Sequence, residues 1–219
     1  MSLVRTLDPS TRLAELVFGL VMTLSFTLTA SVLLREQGHG GARELLYAIF
    51  GCNLAWGVID GGLYLLGQIV ERGRKHRLWI ALRSTRDERE AEALLSDELD
   101  ELVGRGLEPA ERSSLYRSLG QKLRALDPAP VRLTREDWRG ALASCWLVFL
   151  TGIPAALPFF FIADPFVALR ISNALLLLLL FYLGERTARA LGFAHPLRAG
   201  ASFLAFGILL VSVAIALGG

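Results

Sequence analysis

Eight carboxylates fall within the fifteen residues from Asp87 to Glu101, with Arg89 the only basic residue among them. Such a run is usually a solvated helix face, so what matters is whether a subset converges. Asp87, Glu90, Glu98 and Glu101 do: at 100° per residue these four fall within an arc of about 80° on one helix. Carboxylates arranged in this way suit hard, oxygen-preferring cations, Mg2+ or Ca2+, and serve Fe2+ or Mn2+ as well. No Cys or His joins them, so soft-metal capture is not indicated. If Ser96 caps a new helix instead, the arc breaks and a turn must reunite the four.

A second set of polar residues lies in apolar sequence. Asn53, Gly57, Asp60, Gly61, Tyr64 and Gln68 follow helical spacing and draw one polar face. Asp60 precedes Glu71 by eleven residues, which places it about 15 Å along a helix. A carboxylate at that depth needs protonation, a partner such as Arg170, or a wet cavity. In the preceding apolar stretch Gly19, Thr23, Thr27 and Ser31 stand four apart, a row of small residues that lets another helix of the same chain, or of a second copy, approach closely. Glu15 lies near the start of that stretch as an interfacial carboxylate, and Met22 lies two turns deeper, where packing is its ordinary role. Together Glu15, Met22, Asn53 and Asp60 outline a candidate path for a cation or proton.

The elements that must hold these residues follow from composition. Over 219 residues the chain is 53% hydrophobic and 20% charged, with a mean hydropathy of +0.46, more apolar surface than one soluble core requires. Five segments reach the roughly 20 apolar residues that a bilayer demands: 13–34, 45–70, 140–162, 166–183 and 199–217. Pro154 and Pro158 predict a kink or break in the third. The interval from Glu71 to Asp137 holds 14 of the 23 Lys/Arg and 14 of the 21 Asp/Glu. The expected organisation is therefore an all-α integral membrane protein with five transmembrane helices: residues 1–70 with spans one and two, a helical insert over 71–137, and residues 138–219 with spans three to five. Arg5, Arg12, the insert and the loop bearing Arg186, Arg189 and Arg198 share one side, and the positive-inside rule makes that side cytoplasmic.

Within the insert, Ala91, Leu94, Leu95, Leu99, Leu102 and Val103 give one amphipathic helix. Gly104 and Gly106 stop it. Pro109 opens a second, with Leu115, Leu119, Leu123 and Leu126 on one side and its end before Pro128. Other functions are disfavoured. A net charge of +2 with interleaved signs leaves no footprint for nucleic acid. Cys52 and Cys145 form no CxxC pattern, and His39, His76 and His195 lie in three separate polar segments and read as solvated. No nucleophile and base pair or phosphate loop appears, so no enzyme and no cofactor are expected. No leader pattern opens the sequence, and the richness in Ala, Leu, Arg and Gly fits a bacterial chain, hence a cytoplasmic membrane.

These residues together resemble the vacuolar iron transporter family. The likeness runs over most of the chain: Phe18 and Gly19 in the first span, an acidic helical insert with DELDELVGRGLEPAE (Asp97 to Glu111), and paired prolines in GIPAALPFF (Gly152 to Phe160). The resemblance implies a five-span homodimer in membrane lipid that moves divalent Fe2+, and often Mn2+, out of the cytosol in exchange for protons. It also implies that Asp87, Glu90, Glu98 and Glu101 match the carboxylates of the metal-collecting insert. The sequence departs from the pattern where the family's N-D-G motif reads Val21, Met22, Thr23, and where its M-x-x-G-E-Y motif gives way to Leu54, Val58 and Ile59. Asp60 lies two residues past the Glu position, so a divergent member would use Met22, Asn53 and Asp60 as a rebuilt site. The alternative is a non-transporting membrane protein of the same fold whose insert binds a protein partner.

Overall fold

The computed structural model describes residues 7–37, 39–103, 106–128 and 130–216, with the side chains of 29–42, 101–102 and 214–215 outside the description. Its elements are all helical: α1 (Pro9–Gln37), α2 (His39–Ser84), α3 (Glu88–Val103), α4 (Pro109–Ala125), α5 (Arg135–Leu150), α6 (Gly152–Phe161), α7 (Pro165–Ala190) and α8 (Pro196–Ala216). Five stretches are long and apolar enough to cross a membrane: Pro9–Leu28, Arg43–Ser84, Arg135–Phe161, Pro165–Ala190 and Pro196–Val213. Only 11% of the last and 22% of the second is buried, and Leu54, Val58, Leu63, Leu209 and Val213 stand exposed. In water such a surface would be strongly unfavourable; in hydrocarbon it is what a span presents.

The chain divides into two compact units, residues 1–65 with 135–219, and residues 66–134. In the first, Leu20, Leu24, Leu28, Ala155, Leu176 and Leu180 form one core and Leu45, Ile49 and Leu169 another. Helix starts are set locally. Asp8 accepts the Thr11 backbone N–H at 3.0 Å ahead of α1, and Asp164 caps α7 by accepting from Phe166 and Val167, with Pro165 in the first turn. The third span breaks into α5 and α6 at Thr151. Pro154, three residues on, lacks the N–H that Leu150 would otherwise accept from, so the break falls where the prolines predict it. Close approach of α2 to α5 depends on glycine: a Cβ on Gly57 would sit 2.6 Å from the Cys145 carbonyl oxygen, and one on Gly61 2.8 Å from that of Ala141.

The second unit differs from the expected hairpin. It has three helical parts, because α2 continues through Glu71 and His76 to Ser84 and joins α3 and α4. Leu82, Ala91, Leu95 and Tyr116 are its core, with Leu78, Leu94, Leu99, Leu119 and Leu123 packed on them. The polar run from Glu71 to His76 ends the apolar stretch but not the helix, since Leu78 and Leu82 resume a stripe four residues apart. Trp79 Nε1 donates to the Leu123 carbonyl at 2.9 Å, and Arg124 Nε to that of Leu82 at 2.8 Å. Pro109 stands at the start of α4, where Glu108 and Glu111 form a reciprocal capping box. Ser96 lies inside α3 and starts no helix.

Asp100 holds α3 to α4 by accepting from the Tyr116 hydroxyl at 2.5 Å and from Ser96 at 2.7 Å, with Arg112 at 3.7 Å. The Tyr116 bond first, then Ser96, keeps the Asp100 carboxyl below the usual carboxylate range, and the same bond pushes the Tyr116 phenol up. A depressed acid stabilises the fold above its unfolded pKa and loses that contribution as pH falls through its folded one; a raised phenol loses its contribution as pH rises through its own. Amide protection over Glu88–Ala125 is therefore expected to fall on acidification in the native chain. In Asp100→Asn it should start lower and change less, and an equal acid response in both would reject the assignment.

Candidate functional site

Three helices of the first unit converge on carboxylates. Glu15 of α1 stands beside Asp60 of α2 and Ser144 of α5, and the Ser144 hydroxyl donates to Asp60 Oδ2 at 3.3 Å. Ser144 is fully buried, while Glu15 and Asp60 are half-buried. Two carboxylates side by side repel each other, and a cation or proton bound between them relieves that repulsion. Arg170 is exposed on α7, and the partners of Asp60 are Glu15 and Ser144. Glu15, expected at the interface as a single carboxylate, is thus one half of a pair.

About two turns further along the same helices lies a second polar cluster. Asn53, fully buried, donates from Nδ2 to Thr23 Oγ1 at 2.8 Å, Thr151 Oγ1 at 3.3 Å and the Val148 carbonyl at 3.4 Å. Thr23 and Thr151 pass their own protons back to the Gly19 carbonyl at 2.7 Å and the Val148 carbonyl at 2.6 Å, so the cluster is satisfied without charge. One turn beyond, Thr27 donates to Asn173 Oδ1 at 2.8 Å, and Ser172 donates to the Ala155 carbonyl at 2.8 Å. From Glu15 to Thr27 this ladder of oxygens covers about 18 Å of α1, against roughly 30 Å of hydrocarbon. The Gly19, Thr23, Thr27 row is therefore used within the chain. Met22 is half-buried on α1 beside the ladder.

Ser144 and Thr151 were not among the expected site residues. They stand seven apart on the third span, which brings both to one face, but small hydroxyl residues in a span are common and carry no signal until a carboxylate is seen opposite them.

Three of the four acids expected to collect a metal are engaged locally. Asp87 accepts the Arg89 backbone N–H at 2.9 Å at the start of α3, Glu90 accepts from Thr85, and Glu98 pairs with Arg74 at 2.6 Å. The Glu101 side chain lies outside the described residues. Glu90 and Glu98 are about 12 Å apart along the helix axis. Among the described residues no three acids, histidines or cysteines come together around one point. His76, expected in solvent, is half-buried with its Nδ1 enclosed and, among the described residues, without a hydrogen-bond partner, lining an apolar cavity of about 590 Å³ beside Trp79, Leu82 and Leu123.

A family model described as the VIT family matches residues 79–219, well over half of the chain. This chain belongs to the VIT family. It is thereby a multi-pass integral membrane protein of the vacuolar iron transporters, a family that moves metal ions across membranes rather than catalysing reactions. The matched residues take in the last turns of α2 and all of α3 to α8, hence Ser144, Thr151 and the insert acids among the residues described above. No curated protein matches the sequence.

Proposed function

We propose that this VIT-family chain exports a divalent cation, Fe2+ or Mn2+, from the cytosol in exchange for protons, with Glu15 and Asp60 as the exchange site. The Glu15, Asp60 and Ser144 contact carries this reading. Protonated, the pair holds one proton and one net negative charge. Fully ionised, it offers two carboxylates and a hydroxyl to an ion of charge two, the hard oxygen set that Mn2+, Fe2+ and Mg2+ accept. The two occupants exclude each other, so cation entry expels the proton, and a proton arriving from the far side expels the cation. Asn53, Thr23, Thr151, Thr27 and Asn173 would then pass the partly dehydrated ion from oxygen to oxygen. The Met22 thioether favours Fe2+ over Mg2+ at the same level of the helix.

The α3 acids act in this scheme as a cytoplasmic collector that raises local cation concentration, rather than as a cage around one ion. Exposed Leu54, Val58 and Leu63 on α2 suit either lipid or a second copy, and a homodimer is the assembly proposed. In liposomes loaded with a pH-sensitive dye, Mn2+ or Fe2+ entry is expected to move protons in the opposite direction. Metal flux without proton movement would remove the exchange, and absence of flux would remove the transporter. Neutralising Asp87, Glu90, Glu98 and Glu101 together to Asn and Gln is expected to raise the half-saturating metal concentration about tenfold at low ionic strength and less at high. The maximal flux should stay unchanged, and a fall in maximal flux alone would place these acids in the path instead.

A further inference from the structure

A cavity of about 560 Å³ lies away from the ladder, between the start of α1, the last turns of α7 and one face of α5. Arg12, Arg186 and Arg189 line it together with Leu13, Leu16 and Leu147, and among the described residues no acid stands in its wall. Arg189 gives its Nε to Glu185, which is buried, and so is anchored in place. Arg12 Nε is enclosed and, among the described residues, has no hydrogen-bond partner. Arginines at span ends ordinarily reflect membrane sidedness or the negative end of a helix dipole, and for these each side chain reaches water separately. Here three line one cavity together with three leucines.

We infer that this cavity binds the phosphodiester of an anionic membrane lipid, its oxygens on Arg12, Arg186 and Arg189 and its acyl chains along Leu13, Leu16 and Leu147. Guanidinium groups match phosphate geometry. A free phosphate ion would use the arginines but gain nothing from the leucines. A zwitterionic lipid would bring its own cation toward three others. The anionic phospholipid alone uses both the arginines and the leucines, and basic pockets between span ends are where such lipids settle.

The test is native mass spectrometry of the full chain, delipidated in neutral detergent and offered phosphatidylglycerol and phosphatidylcholine at equal concentration. Retained phosphatidylglycerol is expected to exceed phosphatidylcholine by about tenfold or more, and Arg186→Gln to lower its retention about fivefold. Arg186 is exposed, so the variant should fold as the native chain does. Arg170→Gln, which removes the same charge from the other end of α7, is expected to leave retention unchanged. Equal retention of the two lipids, an equal loss in both variants, or displacement of bound lipid by inorganic phosphate would each overturn the assignment.

Discussion

Asp60→Asn, in the full chain reconstituted into liposomes, is expected to lower Mn2+ flux at least about 100-fold while leaving the folded protein intact. Groups that merely orient a metal ligand already account for about 10–100-fold when removed, and Asp60 is proposed to touch the ion itself. The replacement is nearly isosteric. A carboxamide in place of the Asp60 carboxylate could still accept from Ser144 and donate to Glu15, so the junction of α1, α2 and α5 keeps its hydrogen bonds while losing one of its two exchangeable charges. Glu15→Gln should behave alike, and the double variant should be no worse than either alone, because two residues acting as one site are not additive. Additive losses would mean two separate roles. Melting temperatures in detergent within a few degrees of the native value would separate loss of flux from loss of fold, and full flux in both single variants would end the exchange mechanism.

Gly57→Val is expected to destabilise the membrane-embedded unit by more than about 3 kcal/mol, the upper end of ordinary overpacking. The first added carbon alone would lie 2.6 Å from the Cys145 carbonyl oxygen and 3.2 Å from its Cα. Those are backbone atoms, and no rotamer change can clear them. Gly62 supplies the contrast. It stands in the same helix, and a Cβ there meets nothing within 4 Å. Gly62→Ala should stabilise by about 0.5–1 kcal/mol through reduced backbone entropy in the unfolded chain. Thermal unfolding of both variants in one detergent tests the packing of α2 on α5; equal shifts in the same direction would show that the two helices do not meet as described.

The five spans were legible because hydrocarbon imposes length and apolarity on each segment separately, and a residue count detects both. The break in the third span was legible for a similar reason, since Pro154 lacks an N–H wherever it stands. Half of the candidate site was visible too: Asp60 and Asn53 advertise themselves as polar groups in apolar sequence. Its other half was not. Glu15 reads as an interfacial residue until α1 and α2 are set antiparallel with Glu15 opposite Asp60 and Thr23 opposite Asn53, a register fixed by tertiary packing. The α3 acids illustrate the converse. Helical periodicity put them on one face, but periodicity is blind to Arg74, which arrives from another helix and occupies Glu98.

The interruption at Thr151 has a mechanical consequence. A continuous transmembrane helix resists bending along its whole length, whereas a rod jointed near its middle flexes at the joint while each half stays straight. Thr151 belongs to that joint and also accepts from Asn53 at 3.3 Å, so tilting of α6 against α5 would act first on the Asn53 cluster, two turns from Glu15 and Asp60. In the exchange proposed above, access from one face of the membrane and release to the other would fall to separate halves of a single helix.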